Sequence, residues 1–216
     1  MKQKTVFVVS ALTLLLAFVA GAMFYNNQKE KTASQLAEAN RASLVRMHSP
    51  TLGKESAHVV IVEFIDPACE TCRTLYPMVK QLMAANPDKI RLVLRFAPFH
   101  TGSDKVVAML ESARRQGKFW PALEALLVNQ ANWTEHHKAN VERAWKVLED
   151  MGLGMDQVAF DMTSPEVARV IAQDLADART LNVTKTPEFF VNGKPLPSFG
   201  FEQLMELVNQ ALADNR

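Results

Sequence analysis

The stretch His58-Val59-Val60-Ile61-Val62-Glu63-Phe64-Ile65-Asp66-Pro67-Ala68-Cys69-Glu70-Thr71-Cys72 decides the fold. From Val59 to Ile65 it is β-branched or aromatic except at one position, which predicts a strand buried on both faces at the centre of a mixed or parallel sheet. The exception is Glu63. Burial raises a carboxyl pKa, so Glu63 is a candidate proton acceptor or donor for chemistry beside it. The run breaks at Asp66-Pro67 and meets two cysteines in C-E-T-C spacing, where a helical pattern starts. The unsatisfied N–H groups and dipole of a helix N-terminus favour Cys69 as thiolate, the species that attacks disulfides. Cys69 and Cys72 are the only cysteines in 216 residues. A closed structural zinc site needs four ligands, and no second C-x-x-C or suitably spaced histidine pair accompanies them. The pair therefore reads as redox-active; no metal and no cofactor beyond a reversible Cys69–Cys72 disulfide is expected.

Working outward, Leu75, Met78, Val79 and Leu82 keep helical spacing, with Pro77 inside the pattern predicting a kink. Asn86-Pro87-Asp88 ends that helix. Ile90, Leu92, Leu94 and Phe96 then alternate with Arg91, Val93 and Arg95, a second strand. Strand, cysteine-bearing helix and strand form a βαβ unit, and C-x-x-C beside such a unit points to a thioredoxin-like redox fold.

From about 101 to 182 the chain reads almost wholly helical. Ser103-Asp104 can cap a helix carrying Val107, Leu110 and Ala113. Phe119-Trp120 opens another with Leu123, Leu126 and Leu127, and Val141, Ala144, Trp145, Leu148 and Met151 form a third, closed by Gly152. Ser164-Pro165-Glu166 is a start signal with a cap residue, proline at the first helical position and an early acid. Val167, Val170, Ile171, Leu175, Ala178 and Leu181 follow it on one face. His136-His137 falls in a polar stretch and is expected to be exposed rather than ligating. Phe189 to Val191 make a strand, Asn192-Gly193 turns it back, and Phe201, Leu204, Met205, Val208, Ala211 and Leu212 mark a final amphipathic helix.

On these residues the chain resembles the thioredoxin superfamily and, within it, the DsbA-like thiol:disulfide oxidoreductases of bacterial cell envelopes. Glu63 stands six residues before Cys69, where the family keeps a buried acid, and Pro77 five after Cys72, where its first helix kinks. Val183-Thr-Lys-Thr186-Pro187-Glu-Phe-Phe-Val-Asn-Gly193 is similar to the family's cis-proline segment and the strand and hairpin after it. The resemblance covers roughly Pro50 to Asn215. It implies an α/β fold: a central mixed β-sheet flanked by helices, with an all-helical subdomain inserted at about 101–182, the DsbA-like variant. It further implies Cys69 as nucleophile, Cys72 as resolving thiol and Glu63 as their proton partner. Thr186 and Pro187 would hold a substrate chain through strand-like backbone bonds. Glu70 and Thr71 would tune the thiolate, and the negative Glu70 is expected to make the pair less oxidising than in typical relatives. Implied partners are cysteine-containing envelope proteins and a membrane redox partner, either a quinone-linked oxidase or a transmembrane reductase.

The N-terminus points to export. Lys2 and Lys4 precede an apolar stretch from Val6 to Tyr25 that could span about 30 Å as a helix. Residues 1–28 thus read as a signal peptide or a signal anchor, with 6–25 a possible membrane tether. Residues 29–48 read as a charged helical stalk with a weak Leu36, Leu44 pattern, and 49–216 as the catalytic domain. The compartment is expected to be periplasmic or otherwise extracytoplasmic. About 190 residues beyond the leader suffice for one domain with an inserted subdomain. A net charge of +1 leaves no electrostatic footprint for nucleic acid. Within the exchange chemistry the favoured direction is disulfide donation, with reduction or isomerisation as alternatives. A non-enzymatic metal-binding or chaperone-like module is the reading from another class, and His100 its candidate third ligand.

Overall fold

The computed structural model describes residues 2–214, without the side chains at 2–7, 9–11, 26, 29, 30, 33, 34 and 36. The last two residues of the domain, and Leu36 of the suggested stalk pattern, therefore lie outside what is described.

The predicted core strand is β2 (Val59–Ile65), and the second predicted strand is β3 (Ile90–Phe96). They pair in parallel over their whole length, from Val59 opposite Ile90 to Ile65 opposite Phe96. A short β1 (Thr51–Leu52) lies antiparallel outside β3, and β6 (Glu188–Val191) runs antiparallel on the other side of β2. The hairpin strand β7 (Lys194–Pro195) completes the order β1-β3-β2-β6-β7. β2 is thus central and covered on both faces, the environment its continuous apolar run demands. Side chains alternate across a strand, so Ile61, Glu63 and Ile65 share one face and Val62 and Phe64 the other. The first face packs against α2 (Glu70–Ala85) and the final helix α9 (Phe201–Asp214) in the main core. Val62, Phe64, Val93 and Phe190 form a smaller core on the opposite face with Leu44, Ala178 and Val183.

The inserted region contains α3 (Ser103–Arg115), α4 (Phe119–Val128), α5 (Gln130–Trp133), α6 (Val141–Asp150), α7 (Met155–Asp161) and α8 (Pro165–Thr180). Ser164 caps α8 as predicted, accepting from the Val167 N–H at 3.3 Å. Ser103 does not cap α3: Gly102, with φ +79°, takes that place, and the Ser103 hydroxyl donates to Asp66 instead. The insertion is also not purely helical. A hairpin of β4 (Thr134–Glu135) and β5 (Lys138–Ala139) turns through His136 and His137, both at positive φ. Asn-Gly is the usual signal for such a turn, and His-His carries none. The Ala139 N–H ties the hairpin to the Thr101 carbonyl at 2.9 Å. Both histidines are exposed as expected.

The segments expected as leader and stalk form one continuous helix, α1 (Lys2–Leu44). Its C-terminal part docks on the domain. Leu44 enters the smaller core, and a Cβ on Gly193 would come within 2.9 Å of the Ala37 Cβ. Gly193 also holds φ +84°, so both space and backbone require glycine in this turn. Earlier in α1, Leu12, Leu15, Phe18 and Phe24 are exposed. Among the described residues no helix is long and apolar enough to cross a membrane, and the expected tether through 6–25 lies partly outside them, at 6, 7 and 9–11.

The α1 docking site is also held by buried charge. Arg95 lies fully inside, its guanidinium donating to Asp174 at 2.7 and 3.0 Å and to Asp177 at 2.6 Å. It also donates to the Ser43 carbonyl at the end of α1. Arg46 forks onto Asp177 at 2.6 and 2.8 Å, and His48 Nε2 meets Asp174 at 2.7 Å. Burial works against ionised Asp177, but the hydrogen bonds from Arg46 and Arg95 outweigh it and hold the carboxyl below its ordinary value. Removing one partner of such a network strands the others. Arg95→Met is expected to lower stability by about 3 kcal/mol, read by denaturant unfolding.

Candidate active site

Cys69 is the N-cap residue of α2, at φ −79° and ψ 120°, which points its side chain across the helix start. Both sulfurs are enclosed, but unequally: Cys69 keeps 6% exposure, and Cys72, one turn in, is fully buried. Both are free thiols. The Cys69 S–H donates to the Thr186 carbonyl at 3.2 Å, across the cis Thr186–Pro187 peptide. The segment at 186–187, far along the chain, therefore forms one wall of the site.

The two sulfurs are electrostatically unequal. The Cys69 thiol is pushed down to about 5, chiefly by a hydrogen bond from Cys72. Burial opposes this, while the Thr186 side chain and the backbone N–H groups of Cys72 and Thr71 add to it. Cys72 moves the other way, raised first by burial and then by its bond to Cys69 and the nearby charges of Cys69 and Glu63. Glu63 lies at zero exposure with no hydrogen-bond partner on either carboxylate oxygen among the described residues. Burial, with a smaller contribution from Cys69, lifts its pKa to about 8. A carboxyl in that state is protonated at neutral pH and can give up its proton when a base forms beside it.

The structure thus brings Cys69, Cys72, Glu63 and Thr186-Pro187 together. Glu70 and Thr71 lie on the exposed first turn of α2, and the leading influences on Cys69 include the Thr71 N–H but not the Glu70 carboxylate. A carboxylate in water is screened, so its effect on the sulfur is weaker than charge proximity in sequence suggests. Pro77 is accommodated inside α2 with its ring exposed.

Two groups at the site carry no sequence signal of their role. Asp66, fully buried, accepts from the Ala68 N–H at 2.9 Å, the His100 N–H at 2.9 Å, His100 Nδ1 at 2.7 Å and the Ser103 hydroxyl. It braces the turn before Cys69. Gln130, on α5, donates from Nε2 to the Pro67 carbonyl at 2.7 Å and the Cys69 carbonyl at 2.9 Å. Asp66 was legible only as a turn residue before proline, and Gln130 not at all. His100 commits Nδ1 to Asp66 and stacks on His137 at 5.6 Å between ring centres. Among the described residues no group of three or more His, Cys, Asp or Glu side chains is arranged to hold a metal ion.

Comparison with known proteins agrees with this arrangement. The thioredoxin family model matches residues 45–210. The solved thioredoxin-like oxidoreductase of Silicibacter pomeroyi DSS-3 is 34% identical, with a TM-score of 0.70, over 80% of this chain and 98% of that one. The probable disulfide bond formation protein D of Bacillus cereus is 26% identical over 93% of each chain. A Na(+)/H(+) antiporter NhaA of Herminiimonas arsenicoxydans is 31% identical over 67% of this chain but only 22% of its own length. The chain spans about a quarter of the antiporter relatives it matches. With its sheet order, helical insertion and paired thiols, the chain belongs to the thioredoxin family and carries the DsbA-like form of its fold.

Proposed function

We propose that this protein donates the Cys69–Cys72 disulfide to cysteine pairs of extracytoplasmic proteins. The observation that carries the reading is the inequality of the two thiols on one helical turn. A substrate thiolate attacks Sγ of Cys69, the Cys69–Cys72 bond breaks, and Cys72 leaves with the electron pair. Glu63, protonated at neutral pH, supplies the proton that Cys72 needs. The substrate's second thiolate then attacks its own sulfur in the mixed disulfide, and Cys69 leaves as a stable thiolate. Substrate gains one disulfide and the protein is left as a dithiol, so atoms and electrons balance.

The same inequality supports this direction. A thiol that leaves easily makes the mixed disulfide labile, and a Cys72 that stays protonated is slow to reclaim it. Stabilising Cys69 as thiolate also stabilises the reduced protein, which makes the disulfide a better oxidant. The half-buried Thr186 segment, whose backbone carbonyl lies beside Sγ, suits a substrate chain laid alongside as an extra strand. Regenerating the disulfide requires an oxidant for the dithiol, for which a membrane quinone-linked oxidase is the fitting partner class. An oxidising, extracytoplasmic compartment fits a chain whose working form is a disulfide.

Equilibration of the protein against glutathione buffers tests the direction. The expected reduction potential lies nearer about −120 mV than about −270 mV, the values of a strong oxidant and of a thioredoxin-type reductant. A potential near the lower value would turn the reading into a reductase.

A further inference from the structure

We propose that Gln130 is a positioning residue for the exchange reaction: from the inserted subdomain its side-chain amide holds the Pro67 and Cys69 carbonyls and so aims the Cys69 sulfur. The inference rests on the reading of Cys69 as the attacking thiolate.

The turn from Asp66 to Cys69 has few backbone groups to satisfy, and the partners of most of them are seen. The Cys69 N–H goes to the Asp66 carbonyl at 3.0 Å, and the Ala68 N–H to the Asp66 carboxylate. The Cys69 carbonyl accepts the Arg73 N–H at 3.2 Å as the first bond of α2 and takes Gln130 as a second donor. The Pro67 carbonyl takes Gln130 at 2.7 Å. Because both neighbours are carbonyl oxygens, the amide orientation is settled: only the NH₂ group can meet them.

Gln130 is itself immobilised. It is 1% exposed, and it belongs to the four-residue α5 whose other end, Trp133, is fully buried. Trp133 Nε1 donates to the Leu126 carbonyl at 2.8 Å, and the Trp133 carbonyl receives the Asn140 N–H at 2.7 Å. The Thr134 hydroxyl bonds the Gln130 carbonyl at 2.8 Å. A donor held this firmly fixes the peptide planes on both sides of Ala68 and the carbonyl of the N-cap residue. That orientation decides whether Sγ of Cys69 faces the N–H groups of Thr71 and Cys72. It also sets the positive end of an amide dipole beside the residue that must carry negative charge in the reduced protein and none in the disulfide. Gln130 therefore favours the reduced state, and the insertion acts on the chemistry through one side chain.

Gln130→Met keeps the length and apolar stem and removes both donors; Gln130→Asn keeps the amide but withdraws it by one methylene. In both, the Cys69 thiolate, followed by its absorbance near 240 nm, is expected to titrate at higher pH. The glutathione exchange equilibrium is expected to shift toward the disulfide by about tenfold, the worth of one to two hydrogen bonds, or about 30 mV for this two-electron couple. Trp133→Phe is the control: it removes the Leu126 bond and weakens α5 without touching the turn, so it should lower the melting temperature and leave the thiolate titration where it was. If both Gln130 variants melt lower with unchanged titration and equilibrium, Gln130 is structural and the inference is overturned. If Trp133→Phe moves the thiolate as far as the Gln130 variants do, packing rather than the amide is responsible, and the inference fails equally. If Cys69 in the unsubstituted protein does not titrate below the ordinary thiol range, the underlying reading of Cys69 fails instead.

Discussion

Replacing Cys69 by serine is expected to abolish dithiol–disulfide exchange, by about a thousandfold or more, while Cys72→Ser converts the protein into a trap. The reason for the first is chemical. Serine forms no bond to substrate sulfur, and Cys72 cannot deputise because it is fully buried and its thiol is raised by burial. The reason for the second is geometric. Cys69 keeps its place beside Thr186, facing the N–H groups of Thr71 and Cys72, so it still attacks as thiolate. A serine hydroxyl at position 72 can donate to the Cys69 sulfur as the thiol does, preserving the leading cause of the lowered pKa. It cannot attack the mixed disulfide. Incubation with a disulfide-bearing peptide should give a stable one-to-one adduct on Cys72→Ser, visible as a mass increase that dithiothreitol removes. Retention of full exchange by Cys69→Ser would refute the proposed roles.

The second large effect is a pH dependence of stability that changes with redox state. In the oxidised protein Cys69 does not titrate and Glu63 does. Its folded pKa is raised to about 8 against an ordinary value of 4.5, so between these limits the native state holds a proton that the unfolded chain has lost. Stability therefore falls as pH rises through that window, by up to about 1.4 kcal/mol per unit, and levels off above it. Without the Cys69 charge the upper edge lies somewhat lower, but burial, the main cause, remains. In the reduced protein Cys69 adds the opposite slope. Its folded pKa of about 5 lies below the ordinary 9.0, so the unfolded chain binds the extra proton and stability rises between those values. The two slopes nearly cancel in the dithiol. The gap between reduced and oxidised stability should therefore widen from pH 5 to pH 8 by about 4 kcal/mol. Urea midpoints of both forms at four pH values provide the measurement, and Glu63→Gln should flatten the oxidised curve. Parallel curves for the two redox forms would contradict the electrostatic account of the site.

The linkage also explains why an unpartnered acid is tolerated in the core. A carboxyl that remains protonated up to about pH 8 avoids the larger penalty of a buried charge, yet its proton is available where Cys72 needs one. Glu63 shares its strand face with Ile61 and Ile65, under α2, so a shift of one residue in the β2 register would carry it to the opposite side of the sheet.

What the sequence determined by itself is what can be judged inside a short window. The seven-residue run of β2, apolar but for Glu63, reads as a central strand because a strand covered on both faces disfavours polar positions, and it is central. Glu63 stands out in that run for the same reason. The C-E-T-C pair at a strand-to-helix junction, the Ser164-Pro165 helix start and the Asn192-Gly193 turn each depend on backbone preferences of neighbouring residues, and each lies where those preferences put it. The tertiary structure alone decided the contacts that distant residues make. Arg95 alternates with apolar residues as if it faced water, and the carboxylates of α8 look like its solvent side. Folding brings Arg95 to Asp174, 79 residues away, and buries both. Gln130 meets the Cys69 carbonyl from 61 residues away, and neither residue type nor spacing announces it. A His-His turn closes a hairpin because Thr101 holds it, not because its own residues favour it. Periodicity and caps report the free energy of local conformation, which is written in consecutive residues. A buried polar group is decided by which partner arrives opposite it, and that partner exists only once the chain has closed around the site.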